Sequence, residues 1–279
     1  VKAVVPRTVH REGYAILNAD DELVFAMRKE VDCNIALFSM DEENEHVRRH
    51  TKRGGVACVY ENGWVTILKG EWKIRIARGI DIPITYGGKA LFMMKNVIAA
   101  TLAAYILHDV SSEDLRIGLA TFSPTTAQAP GRLNMIEVGD FSVLIDFAHN
   151  PAGFHGLREF IENLSHERVL GVVGGTGDRR DEDITELGGL AAGMFTKIFL
   201  REDDDRRGRE VNEINDLMLE GIRTENTDLP VEVCDGGQLD AIERAFAEAS
   251  AGDLVVIFAD KVTRTIEAVD AHRERIAAG

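Results

Sequence analysis

The stretch VLIDFAHNPAGFHGLREF, residues 143–160, carries an apolar strand pattern into Asp146, then His149-Asn150-Pro151, then a helix-forming segment. Asn before Pro signals a helix start: the amide side chain caps, and Pro, lacking an N–H, fits the first helical position. A strand that ends in polar residues and feeds a helix is one unit of a parallel sheet. The unit recurs downstream as RVLGVVGG with DEDITELGGLAAGMF, KIFLRE with REVNEINDLMLEGI, VEVC with GQLDAIERAFAEAS, and DLVVIFAD with a helical tail from Lys261. Short apolar strands alternating with helices predict a mainly parallel sheet covered on both faces, with ligands at the carboxyl ends of its strands.

Upstream the pattern differs. VKAVVPRTVH reads as an opening strand, and the absence of an initial Met suggests a fragment of a longer or processed chain. NADDELVFAMRKEV reads as a loop entering a helix capped by Asp20 or Asp21, NIALFS as a strand, and DEENEHVRRHTKRGG as a polar helix stopped by glycines. VACVYENGWVTILKGEWKIRIA then predicts three strands with tight turns at Asn62-Gly63 and Lys69-Gly70. Trp64 and Trp72 are expected to pack across this hairpin sheet. A long buried helix follows at GGKALFMMKNVIAATLAAYILHDV, with Met93 and Met94 in the core, and another at SSEDLRIGLATF, capped by Ser111 or Ser112. SPTTAQAPGR, with two prolines and small polar residues, is the expected linker. The domain expectation is therefore residues 1–128 and 129–279.

The balance of 32 basic against 47 acidic residues gives a net charge of −15, which argues against a nucleic-acid binder with its basic stripe. Cys33, Cys58 and Cys234 lie far apart without a CxxC, as in a reduced cytoplasmic protein. No apolar run reaches the roughly 20 residues of a spanning helix, so a membrane partner is not expected. His46 and His50 share a face of a polar helix without an acid-rich shell, which reads as solvated surface and not as a metal site.

Polar residues cluster after the strands of the second half: Asp146, His149 and Asn150; then GGTGDRRDED; then REDDDRRGR; then ADKVTR. Such a collection suits a polar substrate. GVVGGTGD does not read as a dinucleotide fingerprint, because Asp178 occupies the position where a pyrophosphate needs bare amides. It reads either as a glycine turn with Asp178 capping a helix, or as a loop touching an anionic or amino-acid substrate. REDDDRRGR reads either as a solvated charged loop or as a cation site, since a guanidinium fork pairs with carboxylates.

The segments NADD, NVIAATLAAY, APGRLN, DFAHNPAGF, GDRRDEDI, EDDDRRGR and DLVVIFADKV stand in the order found in Mur ligase-type ATP-dependent amide ligases, which nearly the whole chain resembles. GDRRDED followed by the acidic loop narrows the resemblance to the branch that adds arginine to a poly-aspartate backbone. The resemblance implies a partial Mur-ligase central domain, a mixed sheet with antiparallel hairpins, followed by a Rossmann-like C-terminal domain. It implies ATP and Mg²⁺ as cofactors, arginine and an aspartate-backbone polymer as partners, and a homo-oligomer. For the nucleotide it implies Asn96 at the adenine, Asp146 at the ribose diol, Arg132 at ribose or phosphate, and His149 and Asn150 in the same wall. For arginine it implies Glu202, Asp203, Asp204, Asp205 and Arg209, with Asp178, Arg179 and Lys261 completing that end of the cleft. The family's G-x-x-G-K-T phosphate loop and metal ligands are absent from this sequence and are expected upstream of Val1, so no catalytic residue is assigned and the chain alone is expected to be inactive. The alternatives are a degenerate Mur-like scaffold or polymer-binding module, a peptidoglycan- or folate-type ligase taking another amino acid, and, more distantly, a dinucleotide oxidoreductase.

Overall fold

The computed structural model describes residues 2–107, 110–202 and 205–278. The chain folds as two compact units, Val1–Ser123 and Pro124–Gly279, dividing where the Pro-containing linker begins.

The first unit begins with one helical turn, α1 (Val4–Arg7), where a strand was expected. Val4 and Val5 are 57% and 72% exposed, so the apolar residues of that segment have no sheet to bury them. The first strand is instead β1 (Tyr14–Asn18). Then come α2 (Glu22–Ala26), extended by a 3₁₀ turn over Met27–Glu30, β2 (Asn34–Ser39), α3 (Glu45–Lys52) and the hairpin strands β3 (Val56–Glu61), β4 (Trp64–Lys69) and β5 (Trp72–Arg78). Helices α4 (Met94–Ile106) and α5 (Ser112–Thr121) complete the unit. The sheet order is β1-β2-β3-β4-β5, parallel through β3 and antiparallel beyond it. Asp21 caps α2 by accepting from the Leu23 and Val24 amides. Ser111 and Asp114 form a reciprocal capping box on α5, which satisfies orphan N–H groups at that helix start.

Two expectations fail here for physical reasons. Trp72 is 78% exposed, because it pairs with Lys69 on the last rung beside the turn, where no neighbouring layer reaches. Helix α3 is not a wholly solvated face: Val47 and Thr51 are buried, and the His46 ring stacks on Phe25 with centroids 3.7 Å apart.

The second unit contains β6 (Asn134–Val138), β7 (Phe141–Asp146), α6 (Pro151–Glu162), β8 (Val169–Val173), α7 (Asp181–Ala192), β9 (Lys197–Arg201), α8 (Glu213–Glu225), β10 (Val231–Cys234), α9 (Gly237–Glu248), β11 (Leu254–Phe258) and α10 (Val262–Ala278). Its sheet runs β10-β9-β8-β11-β7-β6, all parallel except the edge strand β6. Helices on both faces bury every residue of β8 and β11, which accounts for their unbroken apolar character. One face packs Val143, Ile145, Leu170, Val172, Val255 and Ile257 into a continuous core. On the other, Phe154 of α6 stacks on Phe258 at 4.4 Å between centroids.

The connections decide where a site can form. After β7 the chain skips a position to β8, proceeds outward to β9 and β10, and returns with β11 between β7 and β8. Loops leaving β7 and β8 therefore diverge around β11, and a crevice opens at their carboxyl ends.

Candidate amino-acid crevice of the second unit

Asp146 ends β7 and is buried, with 8% of its surface exposed. Its Oδ2 accepts from the Leu133 amide (3.0 Å) and its Oδ1 from the Ala148 amide (2.7 Å). Burial holds its carboxyl above the ordinary range; those amides and the Arg132 charge oppose the shift without cancelling it. The carboxylate pins a strained turn: Leu133 sits at φ +50°, while Asn134 Oδ1 accepts from Gly131 and Asn134 Nδ2 donates to the Pro124 and Ala129 carbonyls. That turn presents Arg132, whose guanidinium carbon lies 5.2 Å from the centroid of the Phe147 ring.

Next, His149 Nδ1 meets the Phe147 carbonyl at 2.9 Å. A carbonyl only accepts, so Nδ1 is the donor of this contact. Asn150 caps α6 through the Gly153 amide (2.9 Å), with Pro151 at the first helical position.

A cavity of about 190 Å³ gathers the ends of β7, β8, β9 and β11. Ala148 and His149 form one wall, and Asp205 and Arg207 the wall from the acidic loop. Asp178 and Arg179 come from the glycine loop, and Asp260 follows β11. The floor includes Gly174 and Arg201; Arg201 is 3% exposed and donates from Nη2 to the Phe258 carbonyl (3.1 Å). Three aspartates and three arginines thus line a space smaller than the ~300–1,000 Å³ typical of pockets for larger ligands. Balanced charge in a small volume suits an amino-acid zwitterion.

The loops are braced before any ligand arrives. Glu202 accepts from Arg206 Nε (3.0 Å) and from the Asn212 amide (2.7 Å). Asp205 pairs with Arg207 at 2.7 Å. Arg209 is a strut and not a substrate contact: it donates to the Gly177 and Arg179 carbonyls (3.1 and 2.6 Å) and pairs with Asp181 (2.8 Å) and Glu213 (2.5 Å). The acidic and glycine loops are thereby fastened together. Gly177 permits that approach, since a Cβ there would lie 2.1 Å from the Arg206 carbonyl oxygen.

Other sequence expectations fall differently. Asp178 does not cap α7, which starts three residues later behind Arg180 and is steadied by the Arg180–Asp183 pair. Lys261 stands at the start of α10, where its carbonyl accepts from Thr265, and Asp203 and Asp204 lie outside the described residues. Asn96 belongs to the first unit, exposed on α4 beside an apolar cavity of about 400 Å³ lined by Val97, Ala100, Leu115 and Phe122. Arg201 and Arg207 were missed. Arg201 left a legible signal, a charge closing the buried run KIFLR.

Residues 131–260 match the family model described as Mur ligase, glutamate ligase domain. E. coli FolC in complex with DHPP and ADP has the same fold at a TM-score of 0.67 and 19% identity, covering 98% of this chain and 56% of that one. Over nearly its whole length the chain is similar to part of the cyanophycin synthetases. It is 47% identical to that of Crocosphaera subtropica over 97% of its own length and 31% of the relative's. It is 45% identical to that of Nostoc sp. over 96% and 30%. The chain thus spans under a third of those relatives.

Proposed function

We propose that this chain is the part of an ATP-dependent amide ligase that receives arginine and joins it to the β-carboxylate of poly-aspartate. The observation that carries this reading is the small, charge-balanced crevice where four strand ends meet. Arg179 and Arg207 stand on the side of the α-carboxylate, while Asp178, Asp205 and Asp260 meet the guanidinium, which takes the place of Arg207 beside Asp205. Asp203 and Asp204 of the same loop are assigned to the guanidinium as well, from sequence. The side-chain carboxylate of the polymer accepts the terminal phosphoryl group of ATP, releasing ADP and forming an acyl phosphate. Attack by the α-amine of arginine on that carbonyl expels phosphate, loses a proton and leaves the isopeptide bond. The chain's own contribution is to orient the amine and neutralise charge.

Asn96, Arg132, Asp146, His149 and Asn150 are assigned to the nucleotide side. Each Asp146 oxygen keeps one lone pair after accepting a backbone amide, enough for a ribose diol at its exposed edge. The carboxylates present do not fit Mg²⁺: among the described residues no three His, Cys, Asp or Glu side chains are placed to hold one ion. The sequence also carries no G-x-x-G-K-T, so the isolated chain is expected not to turn over ATP. Among the described residues no helix is long and apolar enough to cross a membrane, and the proposed setting is the cytoplasm, as a homo-oligomer.

The test is Asp204→Asn in the complete enzyme. Arginine KM should rise while nucleotide binding is retained; an unchanged arginine KM counts against the reading, as does arginine-dependent ADP release by the isolated chain.

A further inference from the structure

Residues 46–53, HVRRHTKR, hold four Lys or Arg and two His in eight positions with no acid, inside a chain of net charge −15. They form most of α3 and its carboxyl-terminal cap. Two cavities flank this helix and share Ile35, His50 and Arg53. One, about 500 Å³, lies at the amino ends of β1, β2 and β3, with Tyr14, Asn34, Lys69 and Tyr105 in its wall. The other, about 420 Å³, is lined by Phe25, Arg28, His46 and Arg49. No acidic side chain lines either cavity among the described residues.

The cations here differ in kind from those nearby. Arg48 pairs with Glu43 and Lys73 with Glu61 in the same unit, so acids are within reach of the fold. Arg28, Arg53 and Lys69 form no ion pair among the described residues. Arg28 donates instead to the Phe25 carbonyl (2.9 Å) and lies over the Phe25 ring at 3.6 Å. Complementing a helix dipole accounts for Lys52 and Arg53 at the end of α3. It does not account for Lys69, which ends a hairpin strand, or for Arg28, which lies in the 3₁₀ turn.

We infer that this basic trough is a docking surface for an acidic peptide. Arg28, Arg53 and Lys69 meet its carboxylates, Arg49 stands beside them with Glu45 at 3.9 Å, and Tyr14 and Tyr105 add neutral donors. The choice of poly-aspartate as the peptide rests on the proposed function; the trough itself does not. A nucleic acid fits less well, because a long phosphate backbone extends beyond the trough onto a surface of net negative charge.

The test is fluorescence anisotropy of a labelled oligo-aspartate peptide with the full 279-residue chain, in low and in moderate salt. Arg53→Gln/Lys69→Gln should weaken binding about five- to thirtyfold, two exposed ion pairs' worth, and added salt should weaken it further. Arg28→Gln should weaken it less. Circular dichroism melts should stay unchanged, because Arg53 and Lys69 are exposed and form no ion pair among the described residues. Unchanged affinity in the double variant overturns the inference. So does absence of peptide binding at low salt, or tighter binding of oligo-thymidylate of equal charge. L-arginine titrated into the unsubstituted chain separates the two readings: no peptide binding with arginine binding present sinks the trough alone, and no arginine binding with peptide binding present sinks the crevice alone.

Discussion

Cations in the crevice of the second unit and in the trough of the first are used in opposite ways. Around the crevice Arg206, Arg207 and Arg209 each meet a carboxylate on the same loop or its neighbours, which braces the loops that form its walls. In the trough Arg28, Arg53 and Lys69 meet none among the described residues. A net charge of −15 makes the difference informative, because in an acidic chain an arginine without an acid is a matter of placement and not of supply. Paired cations brace the loops around the crevice; the trough cations face solvent.

The contrast breaks most readily through the braces. Gly221→Ala should have the largest effect, since its methyl would fall 1.9 Å from the Thr185 carbonyl oxygen and force α7 and α8 apart. Overpacking of this kind should cost about 3 kcal/mol in a denaturant titration. Arg209→Ala should come next, at about 2 kcal/mol for the lost charge-assisted bonds, with faster amide hydrogen exchange at residues 177–181. Arg209→Lys should rescue little, because one ammonium cannot span the same fork of partners. If Arg209→Ala leaves stability and exchange untouched, the strut is no strut.

Acid should separate the two units next. Burial holds the His50 imidazole below its ordinary value near 6.5, with backbone contacts to Val56 and Ile35 opposing. The unfolded chain then binds more protons than the folded one in the window below 6.5, and this unit loses stability as pH falls through it. His50→Gln should flatten that slope. Burial pushes the Asp253 carboxyl up, but Arg168 and the Ser250 amide more than offset it and leave it below its ordinary 3.8. Its contribution is complete above that value and is lost only as pH falls through the depressed one. Asp146, held above 3.8, adds a slope of opposite sign just above that value, so the acid limb of the second unit should be steepest below it. Unit-resolved amide exchange against pH checks the order. The smallest effect belongs to Arg53→Gln/Lys69→Gln, which should leave the melting temperature in place.

Much of this architecture was written in local patterns. Asn62-Gly63 between alternating apolar runs gave the hairpin, and the buried runs LGVV and LVVIF gave the parallel strands. Asn150-Pro151 gave the start of α6 because both cap and proline act within one turn. Tertiary facts were not local. Valines at the amino terminus read as strand until their exposure showed that nothing covers them. Asp178 read as a cap although the helix starts at Asp181. The acidic loop was found by composition, but the pairing that makes Arg209 a brace depends on residues 177, 179 and 181, which the sequence separates from it. The trough was invisible for the same reason: Tyr14, Arg53, Lys69 and Tyr105 meet only after the sheet forms.

The most direct measurement is calorimetric titration of L-arginine, with L-lysine as control, into the chain and into Asp178→Asn/Asp205→Asn. Saturable arginine binding, weaker for lysine and reduced about tenfold or more in the double variant, is the predicted result, since two charge-assisted contacts are lost. Arginine binding that is unchanged by the substitutions, or matched by lysine, would contradict the assignment of the crevice.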